Sequence, residues 1–249
     1  YTTDVVQHVK HSVMDLHDTT AEASVNQDAQ LTEGKGAHYR LNLSGLVGGH
    51  SGLDIHEQRG NAIKLLGEWL FELSQMGKVQ ISEFRGGRAH NIIPRDAFVT
   101  FYSDASIESL KKLSEKMRGR WLSYLPKSEE ALEISVIEEE SSLKALSYEE
   151  SMGTIQFLNL FPHGAHAYDK ASGGEIVGLS NNLARFLAVN GKLYAQTSVR
   201  FFDREEAVAL ESKLKSLASV FNFSASSESE YPSWKPVAEN PVLDTVKSS

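Results

Sequence analysis

The sequence predicts an α+β protein in which a β-α-β-β-α-β layer occurs twice, with an antiparallel sheet and helices on one face of it. Two patterns support this prediction. Segments with alternating apolar residues, typical of strands, lie between segments in which apolar residues recur at helical spacing. Much of the element order of the first half is repeated in the second half, and this order folds naturally as one sheet backed by helices.

The first predicted unit covers residues 37–140. Its first helix, at residues 61–76, has one apolar stripe and is ended by Gly77. Asp104 is a suitable N-cap for the second helix, which ends before Pro126. The strands of this unit are predicted at residues 38–46, 78–84, 96–102 and 131–137.

The second predicted unit covers residues 141–231 and has the same ferredoxin-like character. The dipeptide Asn190-Gly191 between two strand segments is a strong signal for a tight hairpin. Asp203 is expected to cap the helix that follows, and residues 161–174 are expected to form an irregular loop. The remaining elements are a helix at residues 146–160 and strands at 175–189, 192–202 and 222–230.

The two ends of the chain are harder to interpret. Residues 1–36 form an N-terminal flank of unknown role, with a polar stretch from residue 18 onward. A short amphipathic helix is compatible with the spacing of Val5, Val6, Val9 and Val13. Residues 232–249 follow the repeated units, and two prolines at their start break the pattern of the chain.

Composition limits the classes of partner. The 249 residues include 25 basic and 33 acidic side chains, and the net charge of −8 argues against nucleic acid or polyphosphate as the main ligand. No stretch approaches the roughly 20 apolar residues of a membrane span, so no membrane partner is expected. The absence of cysteine excludes disulfides, thiolate zinc ligands and a thiol nucleophile. With no signal-peptide pattern at the start of the sequence, a cytoplasmic location is the simplest expectation.

Two glycine-rich stretches are the best candidates for a functional site. In Gly48-Gly49-His50-Ser51-Gly52 the paired glycines allow a sharp turn and a close approach to a bound group. The imidazole and the hydroxyl at this turn are suited to point into a cleft. A plain turn with a polar tip is the alternative, and a His50–Ser51 base and nucleophile pair is disfavoured because adjacent residues seldom reach attack geometry. The companion stretch is Gly86-Gly87-Arg88-Ala89-His90-Asn91-Ile92-Ile93-Pro94-Arg95.

Other catalytic patterns are weak. The sequence has no phosphate-binding loop, no His-Glu-x-x-His helix and no Gly-x-Ser-x-Gly elbow. Two histidine groups raise the question of a metal site, although a solvated surface and a polar loop explain them more simply. These groups are His8, His11 and His17, and His163, His166 and Asp169.

Four motifs together resemble one family. They are Gly48 to Gly52 with Asp54, Ile55, His56, Asn61 and Lys64; Gly86-Gly87 with Asn91, Ile93, Pro94 and Ala97; residues 193–203 with Arg200; and Tyr231-Pro232-Ser233-Trp234-Lys235-Pro236. In this order and spacing they resemble the lid domain of the dinuclear-zinc dipeptidases, the family that includes carboxypeptidase G, peptidase T and aminoacyl-histidine (Xaa-His) dipeptidase. The last two motifs resemble the aminoacyl-histidine dipeptidase, carnosinase-like, branch, and the resemblance covers about residues 37–246.

The resemblance implies roles for three residues in an assembled peptide hydrolase. His50 would stabilise the oxyanion of the scissile carbonyl, and Asn91 would hydrogen-bond the backbone of a dipeptide substrate. Arg200 would clamp the C-terminal carboxylate, a task suited to a planar bidentate donor. The structural alternatives are a turn residue for His50, a loop cap for Asn91 and an exposed strand charge for Arg200.

The metal-binding motifs of the family are not found in this sequence. In the family, two zinc ions lie in a catalytic domain whose halves flank the lid, so no metal or other cofactor is expected in this chain and no turnover by it alone. Residues 232–249 are then an exit segment toward a missing catalytic half. The expected partners are the dipeptide, that catalytic domain and a second copy in a homodimer. The alternative is a stand-alone interaction or dimerisation module without a catalytic role, and an unrelated metal enzyme built on His8, His11 and His17 is a third hypothesis.

Overall fold

The computed structural model describes residues 19–170, 173–174 and 176–231. In this part of the chain the strands are β1 (Thr19–Asp28), β2 (Leu31–Thr32), β3 (Ala37–Ser44), β4 (Gly49–His50), β5 (Val79–Gly86), β6 (Ile92–Ile93), β7 (Ala97–Ser103), β8 (Glu133–Glu138), β9 (Ala145–Leu146), β10 (Gly164–Tyr168), β11 (Val177–Val189), β12 (Lys192–Phe201) and β13 (Ser224–Tyr231). The helices are α1 (Ala62–Ser74), α2 (Ile107–Leu122), α3 (Tyr148–Leu160) and α4 (Arg204–Val220), and short 3-10 turns occupy Ile55–Glu57 and Lys127–Glu129. The predicted α+β class is therefore confirmed.

One large antiparallel sheet joins both halves of the chain. Its strand order is β13-β1-β12-β11-β5-β7-β3-β8, and β10 pairs with β11 outside this path. The two halves meet where β11 pairs with β5, with Phe186 opposite Gly86. The order β5-β7-β3-β8 of the first unit is the mirror of the order β11-β12-β1-β13 of the second. The predicted duplication is therefore visible in the sheet itself.

Strand β1 supplies an element that the sequence analysis does not anticipate. It lies between β12 and β13, with Ala21 opposite Val199 and Val25 opposite Ala195. It thereby acts as the first strand of the second unit, although the whole first unit separates it from α3 in sequence. This strand gives a weak signal in the sequence because two of its three alternating apolar residues, Ala21, Ala23 and Val25, are alanines with little apolar surface.

Two local predictions are wrong. The expected irregular loop at residues 161–174 contains β10, which is held by main-chain pairing with β11 rather than by apolar alternation. The N-cap of α2 is Ser106, not Asp104, because the Ser106 hydroxyl accepts a hydrogen bond from Ser109 N at 3.3 Å. The predicted cap Asp203 is confirmed, since its carboxylate accepts from Glu205 N at 2.8 Å.

The main core lies between the sheet and the helices. Trp69 of α1 and Trp121 of α2 are fully buried, and each ring nitrogen has a partner: Ser114 Oγ at 3.2 Å and Glu68 Oε2 at 2.8 Å. Burial of a large apolar side chain stabilises a fold by about 2–3 kcal/mol. Because the helices cover one face, the opposite face of β11 and β12 is left for the two glycine-rich stretches.

Candidate functional site

The two glycine-rich stretches form a small two-stranded antiparallel sheet, here called the β4–β6 ribbon. Gly48 and Gly49 have φ angles of +66° and +147°, as expected of a turn that favours glycine. Strand β4 then pairs with β6, with His50 opposite Ile92, and Ser51 N donates to Asn91 O at 2.8 Å. The β4–β6 ribbon therefore brings His50 and Asn91 together from positions far apart in sequence.

Hydrogen bonds within the loop fix the His50 ring. Its Nδ1 accepts from Gly52 N and Leu53 N, each at 3.3 Å. An Nδ1 that accepts leaves the proton of the neutral ring on Nε2, which becomes the donor. Asp54 Oδ2 accepts from His50 N at 2.7 Å, and Arg59 bridges Asp54 (3.2 Å) and Gly48 O (2.6 Å). The loop therefore holds its imidazole in one orientation before any ligand arrives.

A buried carboxylate clamps both ends of this loop. Glu129, with no exposed surface, accepts from Val47 N at 2.9 Å through Oε2 and from Gly60 N at 3.0 Å through Oε1. The sequence analysis does not identify Glu129 as a candidate. Nothing local shows which member of the pair Glu129-Glu130 turns inward, so sequence reasoning has no signal for this contact.

Arg200 belongs to β12, an inner strand of the large sheet, and lies beside the β4–β6 ribbon. It is only 9% exposed, and its neighbours across β12 are Thr20 and Ser180. The guanidinium group packs on the Gly52 backbone so closely that a methyl group at Gly52 would lie 2.8 Å from Nη1. The alternative of an exposed strand charge is therefore excluded, and the three residues chosen from sequence lie in one region.

Asn91 lies in the turn before β6 and is partly buried. Within the described residues its side chain makes no hydrogen bond, so the alternative of a loop cap has no support there. The neighbouring His90 contacts Glu22 of β1, with Nε2 at 3.3 Å from Oε1, and thereby ties the turn to the edge half of the sheet. Asn182 Nδ2 donates to Ile92 O at 2.9 Å and to His90 O at 3.3 Å.

Other residues of the motifs have structural roles. Ser51 is 1% exposed, which removes it as a nucleophile. Asn61 caps α1 by accepting from Ile63 N at 3.0 Å, and it donates to Leu183 O at 2.9 Å. Lys64 Nζ donates to three carbonyls at the end of α3, from Leu158, Asn159 and Phe161, at 2.5–2.9 Å. Burial lowers the pKa of Lys64 to about 8, against the opposing charge of Glu68.

The histidine groups form no metal site among the described residues. No three His, Asp or Glu side chains come together there in an arrangement that would hold a metal ion. His163 instead accepts from Leu183 N through Nδ1 at 3.3 Å. Burial lowers the pKa of His163 to about 3, and the charges of Lys64 and His166 add to this effect. His8, His11 and His17 lie outside the described residues.

Comparison with known proteins shows what this fold and site are similar to. Residues 41–129, less than half of the chain, match the family described as Peptidase dimerisation domain. This match supports the resemblance of the four motifs to the lid domain of a peptidase. This matched region holds His50, Asn91 and the clamp Glu129, whereas Arg200 lies outside it.

Two particular proteins are similar over most of the chain. The first is the cytosol non-specific dipeptidase of Escherichia coli (strain K12), 29% identical over 213 residues, which are 85% of this chain and 44% of that protein. The second is the crystal structure of aminoacylhistidine dipeptidase from Vibrio alginolyticus, with a TM-score of 0.86 and 27% identity over 93% of this chain and 48% of that one. The chain thus spans less than half the length of both relatives. None of the helices described here is both long and apolar enough to cross a membrane.

Proposed function

We propose that the chain is the substrate-binding lid of a zinc-dependent dipeptidase that hydrolyses Xaa-His dipeptides. The observation that carries the proposal is the β4–β6 ribbon, which brings His50 and Asn91 together and contacts Arg200 through Gly52. Two relatives whose names say dipeptidase support the reaction class, and the name of one of them supports an Xaa-His substrate. The word cytosol in the name of the other supports a cytoplasmic location.

The three side chains supply complementary groups for a dipeptide. His50 would donate Nε2–H to the oxyanion of the scissile carbonyl, and its ring is already oriented by the loop. Asn91 offers both an amide donor and a carbonyl acceptor to the substrate backbone. Arg200 would bind the terminal carboxylate as a bidentate fork, and its burial strengthens such a charge-assisted contact.

The zinc ions are assigned to another domain. The residues described here do not fit a dinuclear metal site, because no three potential ligands converge among them. The catalytic domain of the same enzyme is therefore the first expected partner. A homodimer is the second, since the matching family is described as a dimerisation domain. That description also favours the alternative function, a dimerisation module with no part in catalysis.

Substitution of His50 distinguishes these functions. In the full-length enzyme, His50→Ala is expected to lower kcat by about 100-fold or more, the usual effect of losing one oxyanion donor, with zinc content unchanged. His56→Ala, in the same loop but with no assigned substrate contact, is the matched control. Unchanged kinetics of His50→Ala would favour the dimerisation module. Robust peptide hydrolysis by the 249-residue chain alone would contradict a lid without its own metal site.

A further inference from the structure

Strand β11 contains two adjacent asparagines whose side chains diverge. Asparagine is depleted in strands, so a pair inside a buried strand is unusual. Asn181 donates to Pro162 O at 2.7 Å and accepts from the Thr197 hydroxyl, on the side of the helices. Asn182 lies directly opposite Ser198 on β12. Its side chain points to the other face of the sheet and reaches the β4–β6 ribbon. Both side chains are buried, at 0% and 1% exposure.

The Asn182 side chain forms hydrogen bonds with the segment that carries Asn91. Its Nδ2 donates to the carbonyls on either side of Asn91, those of His90 (3.3 Å) and Ile92 (2.9 Å). The carbonyl of Asn91 itself accepts from Ser51 N. Three successive carbonyls are thus bonded in alternation, two to β11 and the middle one to the loop of His50. The main-chain oxygen of Asn182 lies 2.9 Å from Thr197 Oγ1, whose single proton is shared between this oxygen and Asn181 Oδ1.

We propose that Asn182 is a positioning residue that sets the spacing of His50 and Asn91 through the β4–β6 ribbon. It acts on main-chain atoms of the ribbon and touches no substrate. The structural part of this inference stands alone, whereas its catalytic consequence rests on the proposed function. The contact between His90 and Glu22 is a weaker restraint on the same segment, because the His90 side chain is 47% exposed and contacts between exposed polar side chains contribute little.

Hydrogen exchange tests the structural part in the chain itself. Asn182→Ala is expected to speed exchange of the Ser51 amide by about 10-fold, since losing a buried hydrogen-bond donor favours local opening. Exchange in α1 should not change. Asn181→Ala, an equally buried neighbour on the other side of the strand, is the matched control and should leave Ser51 protected. A folded Asn182→Ala variant with unchanged Ser51 exchange would overturn the proposal.

Asn182→Asp and Asn182→Ser keep the test usable where Asn182→Ala fails to fold. The carboxylate cannot donate to two carbonyls, so faster Ser51 exchange is expected for Asn182→Asp. The hydroxyl in Asn182→Ser has one donor, so an intermediate rate is expected. Equal protection in both variants and in the wild-type chain would contradict the role of Nδ2.

A double-mutant comparison tests the catalytic consequence. In the full-length enzyme, Asn182→Ala is expected to lower kcat by about 10-fold with a smaller change in KM, the expected result of a misplaced catalytic group. In a His50→Ala background the same substitution should have little further effect on kcat. If the two substitutions lower kcat independently, so that their effects multiply in the double variant, positioning through the β4–β6 ribbon is overturned. If His50→Ala itself does not change kcat, the proposed function fails while the exchange result for Ser51 still stands.

Discussion

The guanidinium group of Arg200 packs against the backbone of Gly52, two residues after His50. The space between them is too small for a methyl group, which would lie 2.8 Å from Nη1. A glycine at position 52 therefore allows the Arg200 guanidinium group to occupy its present position. This contact explains why a third glycine follows the Gly48-Gly49 turn.

Replacement of Gly52 by alanine is the first test of this contact. In the full-length enzyme Gly52→Ala is expected to displace Arg200 and to raise KM for dipeptides by about 10-fold, equivalent to roughly 1.4 kcal/mol. Steady-state kinetics measures the effect. Gly119→Ala is the matched control because a methyl group there meets nothing within 4 Å; in α2 it should stabilise the fold by up to about 1 kcal/mol. An unaltered KM for Gly52→Ala would show that Arg200 does not set substrate affinity.

The charge of Arg200 is expected to recognise a free carboxylate. Arg200→Met should lower kcat/KM for a free dipeptide by roughly 100-fold, since each charge-assisted hydrogen bond contributes about 1.5–3 kcal/mol. The same dipeptide with an amidated C-terminus should lose much less. Arg200→Lys keeps the charge without the bidentate fork, and an intermediate loss is expected. Equal losses for the free and amidated substrates would argue that Arg200 only supports the sheet.

The parts of the fold that depend on local pattern could be predicted from the sequence. Residues 38–46 and 192–202 alternate strongly, and the strands β3 and β12 lie there within two residues of the predicted ends. The α1 stripe and the cap Asp203 are likewise properties of a few neighbouring residues. Strand β1 has only a weak pattern, with Ala21, Ala23 and Val25 at alternate positions. Its place is set by pairing with β12 and β13, which are distant in sequence.

The same distinction applies to the site. The two glycine-rich stretches could be found because glycines mark turns, and the choice of His50 and Asn91 within them came from the resemblance to the family motifs. Glu129 and Asn182 could not be assigned, because each acts on main-chain atoms of a segment 69 to 92 positions away. A carboxylate or an amide that binds a distant backbone has no periodicity. The one usable signal was the Asn181-Asn182 pair inside a strand, where asparagine is disfavoured.

Glu129 is expected to control the order of the His50 loop. Glu129→Gln replaces one acceptor oxygen by an NH2 group that faces a backbone N–H, so one of the two amides loses its acceptor. We expect a loss of about 1–3 kcal/mol in the free energy of unfolding and faster exchange at Val47 or Gly60. Urea denaturation and amide exchange measure these effects. Glu130→Gln is the control, since Glu130 is exposed. Equal stability of the two variants would contradict a clamp at Glu129.

The stability of the chain should depend on the protonation of His163. Its pKa is lowered to about 3 in the folded state, first by burial, while the ordinary value of 6.5 applies when the chain unfolds. Between these values the unfolded state binds one more proton than the folded state. The contribution of His163 to the free energy of unfolding is therefore full above pH 6.5. It is lost as the pH falls below this value, by up to about 1.4 kcal/mol per pH unit.

Chemical denaturation at pH 7 and pH 5 tests this dependence. Carboxylates with lowered pKa, such as Glu72 beside Arg120, also lose stability toward acid, but around and below their ordinary value of 4.5. The comparison at pH 5 or above therefore favours the contributions of histidines. The wild-type chain is expected to lose more stability over this interval than His163→Gln, which keeps an acceptor for Leu183 N but does not titrate. Burial also lowers the pKa of His38 and of His166, but these two residues are present in both chains, so the difference between the chains reports on His163. Parallel losses in the wild-type chain and His163→Gln would show that His163 titrates normally in the folded state.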